Sequence, residues 1–431
     1  VEEYTGGTEF GFVDENGKIY ITNYYGSNTD VIIPAAIDGK PVVGITDLKN
    51  KNGVGAENII SLTIPDSVTS VTAAAFYSLS NLETLTLGSG IKNLKSQIFT
   101  YCTQLSKINV SPNNPNYVSE NGVVFTKDKT AVVAYPLGRT ADFALPKETT
   151  DISIFSEYPF NSVNIIVPDN SDGFIKEGGI TYSIDMSAVI SCDREKSGFY
   201  NMPSTVTRIY DGAFGGCEKI TGIRFSNKIT SITYQAFAGC SSLLSVELPS
   251  SLKTIEDKAF LDCTDIQELN FPEGLEKIGN SAFENNTNLK KINIPSSLRT
   301  IESSAFSSTA ISELTVPPTL EKIGYGAFSG CTLLEKLTLL QSNLVIAGEA
   351  FSGCGIEELT IPAKLELAGP GIFQGNKSLK KVTVEAGQTL AKDIFSGCTA
   401  LQSVTLPNGL ESIAKGAFSE CKSLKNISLP L

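Results

Sequence analysis

The chain contains no histidine and no tryptophan, and only two methionines. Without histidine, the ordinary serine and cysteine triads, imidazole zinc sites and the commonest general base are all missing together. No run of about 18 apolar residues occurs, so no segment is long enough to cross a bilayer as a helix. Basic residues are in deficit: 34 Lys and Arg stand against 46 Asp and Glu, a formal charge of −12. That balance gives no chain-wide attraction to phosphate backbones or anionic lipid and argues against nucleic acid as a partner. No G-x-x-x-x-G-K-S/T phosphate loop is present. Acids and aromatics are not clustered in one segment, so a carboxylate pair of the glycosidase kind has no evident seat. Asp14-Glu15-Asn16-Gly17 has the opening of a calcium loop, but its twelfth position is Tyr25 where a bidentate Glu is needed, and it reads better as a hairpin turn. The expectation is therefore a protein with no catalytic residue, no metal and no cofactor.

What is present is a period. Phe76 and Phe99, then Phe214, Phe237, Phe260, Phe283, Phe306, Phe328, Phe351, Phe373, Phe395 and Phe418, recur at steps of 22 or 23 with one interruption. A repeat of that length implies a solenoid in which each unit buries its apolar face only against its neighbours. Function is then expected on an extended surface, not in an enclosed pocket. In the cleanest copies, residues 266–288 and 289–310, the skeleton is L-x-x-I-x-I-P-x-x-L-x-x-I-x-x-x-A-F-x-x-C/N. Its first third alternates apolar and polar residues: Ile292 and Ile294 share one face and Asn293 points away, which predicts a strand. Prolines such as Pro249, Pro272, Pro295, Pro317, Pro362 and Pro407 end these strands, where the missing N–H costs nothing. Leu298 and Ile301, three apart, suggest one irregular or helical turn, and Ala305-Phe306 is expected to form the opposite wall.

This skeleton, above all I-P-x-x-L-x-x-I-x-x-x-A-F-x-x-C-x-x-L, resembles the BspA-type (Treponema pallidum-type) leucine-rich repeat of bacterial surface proteins. The resemblance covers residues 47–111 and 203–431 directly. It implies an α/β-type solenoid, a right-handed superhelix with one parallel strand per 22–23-residue repeat. It also implies adhesion to, or interaction with, a host or neighbouring-cell surface or matrix protein, at the bacterial surface or outside the cell. Residues 1–46, with Lys18-Ile19-Tyr20-Ile21 and Val31-Ile32-Ile33-Pro34, resemble the family's amino-terminal cap, which the first repeat needs to cover its apolar edge. Val1 in place of Met reads as a processed chain whose export signal or anchor lies outside the sequence. The end at Ser428-Leu429-Pro430-Leu431, inside a strand of the next repeat, reads as a frayed or shortened last turn. A monomer is expected.

Between the repeats of 47–111 and those of 206–431, residues 112–205 break the period in an ordered way. Residues 120–135 and 177–192 align without a gap at an offset of 57, matching Gly122 with Gly179, Phe125 with Tyr182, and Asp128 with Asp185. Each copy reads as two short strands around an Asp-containing turn, a β-hairpin inserted into a repeat. Leu145-Pro146, Val167-Pro168 and Met202-Pro203 restore the strand-then-proline signal, so one continuous solenoid is expected beneath both insertions. A linker between two solenoids is the alternative, disfavoured because the segment lacks a Ser/Gly-rich or charged composition.

Three features are candidates for function. Eight of the nine cysteines (Cys102, Cys217, Cys240, Cys263, Cys331, Cys354, Cys398 and Cys421) lie three residues after the repeat Phe, and Asn286, Thr309 and Asn376 take the same slot elsewhere. Such a ladder aligns thiols along one axis and not around a metal, so free buried thiols are expected. In an exported protein these would suit an anaerobic habitat. On the outward strand face, one slot holds Thr63, Thr86, Asn109, Arg224, Glu247, Asn270, Asn293, Thr315, Thr338, Thr360, Thr383, Thr405 and Ser428. Two positions earlier, Glu268, Lys291, Glu313, Lys336, Glu358 and Lys381 alternate in sign, about 5 Å apart if stacked. They form either an ion-pair ladder that fixes register or a stripe that selects a protein partner. Aromatics of the cap and hairpins (Tyr24, Tyr25, Tyr117, Tyr135, Tyr182 and Tyr200) either roof the solenoid edge or form a contact surface, which would suit a carbohydrate-binding component of a bacterial glycan-uptake system.

Overall fold

A computed structural model describes residues 9–48, 55–73, 75–77, 79–99, 102–156, 165–340, 343–363, 365–385, 389–425, 427 and 429. Ser428, Pro430 and Leu431 lie outside the described residues. The chain divides into two compact units, residues 1–175 and 176–431. Each is a parallel-strand β-solenoid with its own apolar core.

In the first unit, Asp30–Ile32, Ser61–Thr63, Thr84–Leu87 and Lys107–Val110 form one parallel sheet. The cap hairpin Phe10–Glu15 with Lys18–Tyr24 pairs in parallel with Lys40–Ile45, and so extends a sheet over the first repeat. In the second unit the outward strands run from Gly198–Asn201 through Ile220–Arg224 and Ser245–Glu247 to the five-stranded sheet between Glu313–Val316 and Ser403–Thr405.

Each regular repeat holds a second strand. Thr254–Ile255, Lys277–Ile278, Thr300–Ile301 and Lys322–Ile323 belong to a seven-stranded parallel sheet running from Ser231–Ile232 to Glu366–Ala368. The turn anticipated at Leu298 is a β-turn closed by Leu298 N donating to Pro295 O at 3.1 Å, and Ile301 lies on the strand that follows. Only three short 3-10 helices occur among the described residues. One strand per repeat was the expectation, and the second strand departs from it. No group of three or more Cys, Asp and Glu among the described residues is placed to hold a metal ion.

The third wall is built around phenylalanine. From Phe214 to Phe418 consecutive rings stack with centroids 4.6–5.8 Å apart and interplanar angles of 4–18°. Backbone bonds hold them level: Phe237 N donates to Ala259 O and Phe260 N to Ala282 O, both at 2.8 Å. Residues two before and two after the ring take the left-handed conformation, as Lys258 (φ 58°) and Asp262 (φ 59°) do around Phe260. That tight corner turns the chain back over a flat ring.

The cysteine slot bonds the carbonyl of the preceding repeat Phe in most repeats, whereas Cys217 Sγ reaches Cys192 O and Thr309 Oγ1 reaches Phe306 O of its own repeat. Cys240 Sγ donates to Phe214 O at 3.1 Å, Cys263 Sγ to Phe237 O at 3.0 Å and Cys331 Sγ to Phe306 O at 3.2 Å. Asn286 Nδ2 reaches Phe260 O, and Asn376 Nδ2 reaches Phe351 O, each at 2.8 Å. At these positions the slot adds a side-chain donor to the carbonyl of the preceding repeat Phe, which in several repeats also accepts a backbone N–H, as Phe214 O does from Cys217 N at 3.0 Å. All nine cysteines are buried and free. Burial pushes the Cys102 and Cys398 thiols up to about 12, which keeps them protonated and unreactive.

The insertions are duplicates down to their hydrogen bonds. Asp128 Oδ1 accepts from Thr126 Oγ1, Thr130 Oγ1 and Thr130 N at 2.7, 2.8 and 3.1 Å. Asp185 Oδ1 accepts from Ser183 Oγ, Ser187 Oγ and Ser187 N at 2.6, 2.8 and 3.0 Å. Each insertion also has an earlier turn that the alignment alone did not reveal: Asn121-Gly122 and Gly178-Gly179 both have positive φ, as does Asn16-Gly17 in the cap. Glu-Asn/Gly-Gly therefore marks three related hairpins, with the backbone of a type I′ turn. Parallel pairing of Phe143–Ala144 with Ile165–Ile166, and of Ala188–Cys192 with Arg208–Ile209, carries solenoid turns on within each unit.

The hydroxyl and amide donors hold both Asp carboxyls down to about 2, the side chains of Thr126 and Ser183 contributing most. A folded value below the unfolded value of about 3.9 contributes stability above that pH, and this stability is lost as pH falls through about 4 towards 2. Thermal melts between pH 6 and 2 are expected to show this loss in the native protein, with a shallower dependence in the Asp128→Ala, Asp185→Ala double variant. Identical pH profiles for the two proteins would refute the assignment.

Candidate functional site

The outward strand face places the alternating-charge residues as expected. Glu268 lies opposite Lys291, Glu313 opposite Lys336, Lys336 opposite Glu358, and Glu358 opposite Lys381. All six are exposed. They nevertheless form no ion pair with one another within 4 Å among the described residues. Ion pairing runs along the second sheet, where Lys253 meets Glu276 at 3.1 Å, Arg299 meets Glu321 at 3.7 Å, and Glu302 receives Lys322 at 2.8 Å and Lys277 at 3.6 Å. The stripe on the first sheet is therefore not the register-holding ladder; that ladder is the one on the second sheet, whose Lys, Glu, Arg, Glu alternation at 253, 276, 299 and 321 the sequence also displays.

The polar slot beside the stripe is shared between exposed hydroxyls and backbone bonding. Thr315 lies opposite Thr338, and Thr360 opposite Thr383. Asn293 departs from the simple outward reading: its Nδ2 donates to Phe271 O at 2.9 Å and its Oδ1 accepts from Phe271 N at 2.6 Å, replacing backbone pairing where the strands are two residues long. In this slot a bond of the hydroxyl-ladder kind runs from Asn109 Nδ2 to Thr86 Oγ1 at 3.4 Å, while hydroxyl-to-hydroxyl bonds between repeats join Thr254 to Ser231 and Ser412 to Thr389 on the second strands.

One stretch of this face opens. Strands Lys336–Leu339 and Glu358–Ile361 are in register only at Lys336 and Glu358, whereas the next pair matches at all four residues. A depression of about 230 Å³ lies here, lined by Leu337, Thr338, Leu339, Glu358, Leu359, Thr360, Lys381 and Thr383. It combines one carboxylate, one ammonium and three hydroxyls over an apolar floor. Such a set can hydrogen-bond and pair charges with a ligand, and offers no activated nucleophile.

The hairpin aromatics are placed differently from the binding reading. Tyr182 and Tyr200 are buried and share a hydroxyl–hydroxyl bond of 2.8 Å, because their rings extend the phenylalanine stack: Tyr200 lies 5.5 Å from Phe214. Tyr117 is half-buried and acts as a latch, its hydroxyl donating to Lys92 O at 3.0 Å and accepting from Leu94 N at 2.9 Å. Tyr135 packs edge-on to Phe143 at 6.1 Å. Tyr24 is buried and only Tyr25 is exposed. The exposed aromatics that the sequence reading missed are Tyr77, Tyr325 and Phe199, and the strand position of Phe199 could have been found from the 23-residue spacing to Gly222 and Ser245.

Outside the stripe, burial, reinforced by Glu256, pushes the Asp211 carboxyl up to about 6. No helix among the described residues is long and apolar enough to cross a membrane.

Among solved structures, the chain is similar to a leucine-rich repeat protein from Bacteroides ovatus at 20% identity and TM-score 0.37, covering 100% of this chain and 82% of that one. A leucine-rich cell surface protein from Faecalibacterium prausnitzii matches at 19% identity and TM-score 0.31, over 99% and 88% of the two chains. The pneumococcal vaccine antigen PcpA matches at 15% identity and TM-score 0.41, over 88% and 92%. A search of curated protein sequences finds no match. The model of the BspA type leucine rich repeat region matches in six copies over residues 49–129, 184–312 and 299–425. That is well over half of the chain, and together with the strand-and-phenylalanine architecture it shows that the chain belongs to the BspA-type leucine-rich repeat family.

Proposed function

We propose that this protein is a non-catalytic binding protein of the bacterial surface or exterior, and that its outward strand face between residues 313 and 405 docks a host or neighbouring-cell protein. The observation that carries this reading is the stripe of exposed, alternating charges left without ion pairs, opening on the depression at Glu358 and Lys381. Elsewhere the fold pairs such charges along the solenoid; here they are available to a partner. Alternation of sign suits a protein surface of matching alternation better than a polyanion, which would meet a repelling carboxylate at every second rung. Membership in a family of bacterial surface proteins supports the location. The buried, free thiols are compatible with export into an anaerobic setting.

The test reverses the order of charge without changing the total. Glu358→Lys combined with Lys381→Glu is assayed by biolayer interferometry against immobilised matrix proteins and surface proteins of neighbouring bacteria. The native protein is expected to bind at least one, and the swapped variant to lose at least tenfold in affinity at low salt, with an unchanged thermal midpoint. Absence of binding to every protein in the panel, or equal binding by the variant, would reject the reading.

A further inference from the structure

A second feature of the outward face lies at the start of the second unit. The strands Gly198–Asn201, Ile220–Arg224 and Ser245–Glu247 are parallel and in register, so Phe199, Gly222 and Ser245 form one outward row. Asn201, Arg224 and Glu247 form the next. Phe199 is 43% exposed, the only outward phenylalanine among the large exposed side chains of the described residues. Its ring is laid against Gly222: a Cβ there would collide with Phe199 Cδ2 and Cε2. Glycine in mid-strand is otherwise unfavourable, and here it lets the ring rest against the sheet backbone while much of its surface stays in water.

The adjoining row is built and neutral. Arg224 Nε meets Glu247 Oε2 at 2.5 Å and its NH2 meets Glu247 Oε1 at 3.1 Å, a fork-to-fork pair; its NH1 lies 3.5 Å from Asn201 Oδ1. The pairing lowers the Glu247 carboxyl below the usual carboxylate range and raises Arg224. The row therefore presents fixed planar groups with no net charge. Carboxylate lone pairs and amide and guanidinium N–H groups not used within the row remain to bond an outside ligand.

We infer that Phe199, Asn201, Arg224 and Glu247 form a binding subsite for a neutral pyranose unit of a glycan. The C–H face of a pyranose is apolar and of about the area of one phenyl ring, and its hydroxyls alternate as donors and acceptors around the rim. An aromatic ring beside a rigid, charge-neutral row of amide, guanidinium and carboxylate complements both features. A charged peptide or sulfated glycan would compete with Glu247 or Arg224 for its partner, whereas a neutral ligand can bond the remaining lone pairs and N–H groups and leave the pair intact. The site is independent of the depression at Glu358 and Lys381 and does not rest on a protein partner being bound there.

The experiment uses the full chain and a panel of neutral gluco-, xylo-, manno- and galacto-oligosaccharides. Saturation-transfer NMR is expected to show transfer to ring C–H protons of at least one of them, with calorimetry giving weak, millimolar to high-micromolar binding. Phe199→Ala should weaken binding at least tenfold and Phe199→Trp should retain it. Glu247→Ala, which frees the guanidinium, should weaken the neutral ligand while the charge swap at Glu358 and Lys381 leaves it unchanged. Circular dichroism and the thermal midpoint check that each variant is folded. Binding unaffected by Phe199→Ala, binding lost equally in Phe199→Trp, or no binding to any neutral glycan would each overturn the proposal.

Discussion

Phe283→Ala is expected to cost the second unit about 3–5 kcal/mol, the range for truncating a fully buried aromatic. Phe283 lies in the middle of the stack, 5.2 Å from both Phe260 and Phe306 at interplanar angles of 5° and 7°, and Phe271 meets it edge-on at 5.6 Å. The truncation leaves a cavity walled by aromatic faces, which cannot collapse because backbone bonds from Phe260 N to Ala282 O and from Phe283 N to Ala305 O hold the rungs apart. In a solenoid the loss falls on two neighbour interfaces at once. Phe418, which stacks only on Phe395 at 5.7 Å and is half-buried, should cost less than half as much when truncated. Urea unfolding followed by circular dichroism reads both values. The mid-stack variant is also expected to lower the m-value or split the transition, since coupling across the gap is weakened. Equal losses at both positions would show that the stack does not transmit stability between repeats.

The parts of this fold that could be read in the sequence are those with long leverage. Phenylalanine at 22–23 residues is unambiguous because a buried ring admits few substitutes, and Ile-Pro ends the first strand at a fixed offset from it. The second strand escaped notice because it is two residues long. Thr300-Ile301 carries one inward side chain, too few to show alternation, and only its stacking on Lys277-Ile278 and Lys322-Ile323 makes it a sheet. The charge stripe was visible and correctly placed, but whether charges pair depends on side-chain reach, which spacing does not encode. For Tyr182 and Tyr200 the sequence left open a roof over the solenoid edge or a contact surface; they are buried because aromatic packing continues ahead of Phe214, with Tyr200 against its ring. Phe199 was passed over because it falls outside the regular repeats. Its partner Gly222, small where the repeat has a side chain to spare, was the clue.

Asn376→Asp is expected to be as damaging as the loss of a core phenylalanine, although it changes one NH2 for an oxygen. Asn376 is wholly buried, and its Nδ2 donates to both Phe351 O and Phe373 O at 2.8 Å, while its Oδ1 has no partner. An ionised carboxylate would set a charge against two carbonyl oxygens and take the amide donor from both, leaving Phe373 O only the Cys398 thiol, at a cost of about 3–5 kcal/mol. Protonation restores one donor, so the folded-state pKa of the new acid must rise above its unfolded value. With that sign, the variant regains stability as pH falls through the folded value towards about 4, opposite to the trend set by Asp128 and Asp185. Asn376→Cys makes the complementary case. The repeat itself uses Cys here, Cys398 Sγ donating to Phe373 O at 3.3 Å, and the thiol removes the unpartnered Oδ1 while keeping one donor. Its stability should stay within about 1 kcal/mol of the native protein, one lost hydrogen bond being offset by one orphan oxygen removed. Melts of the two variants at pH 7 and pH 5 decide it: if Asn376→Asp tolerates pH 7, or if Asn376→Cys falls as far, the slot selects for size and not for a hydrogen-bond donor to the phenylalanine carbonyl.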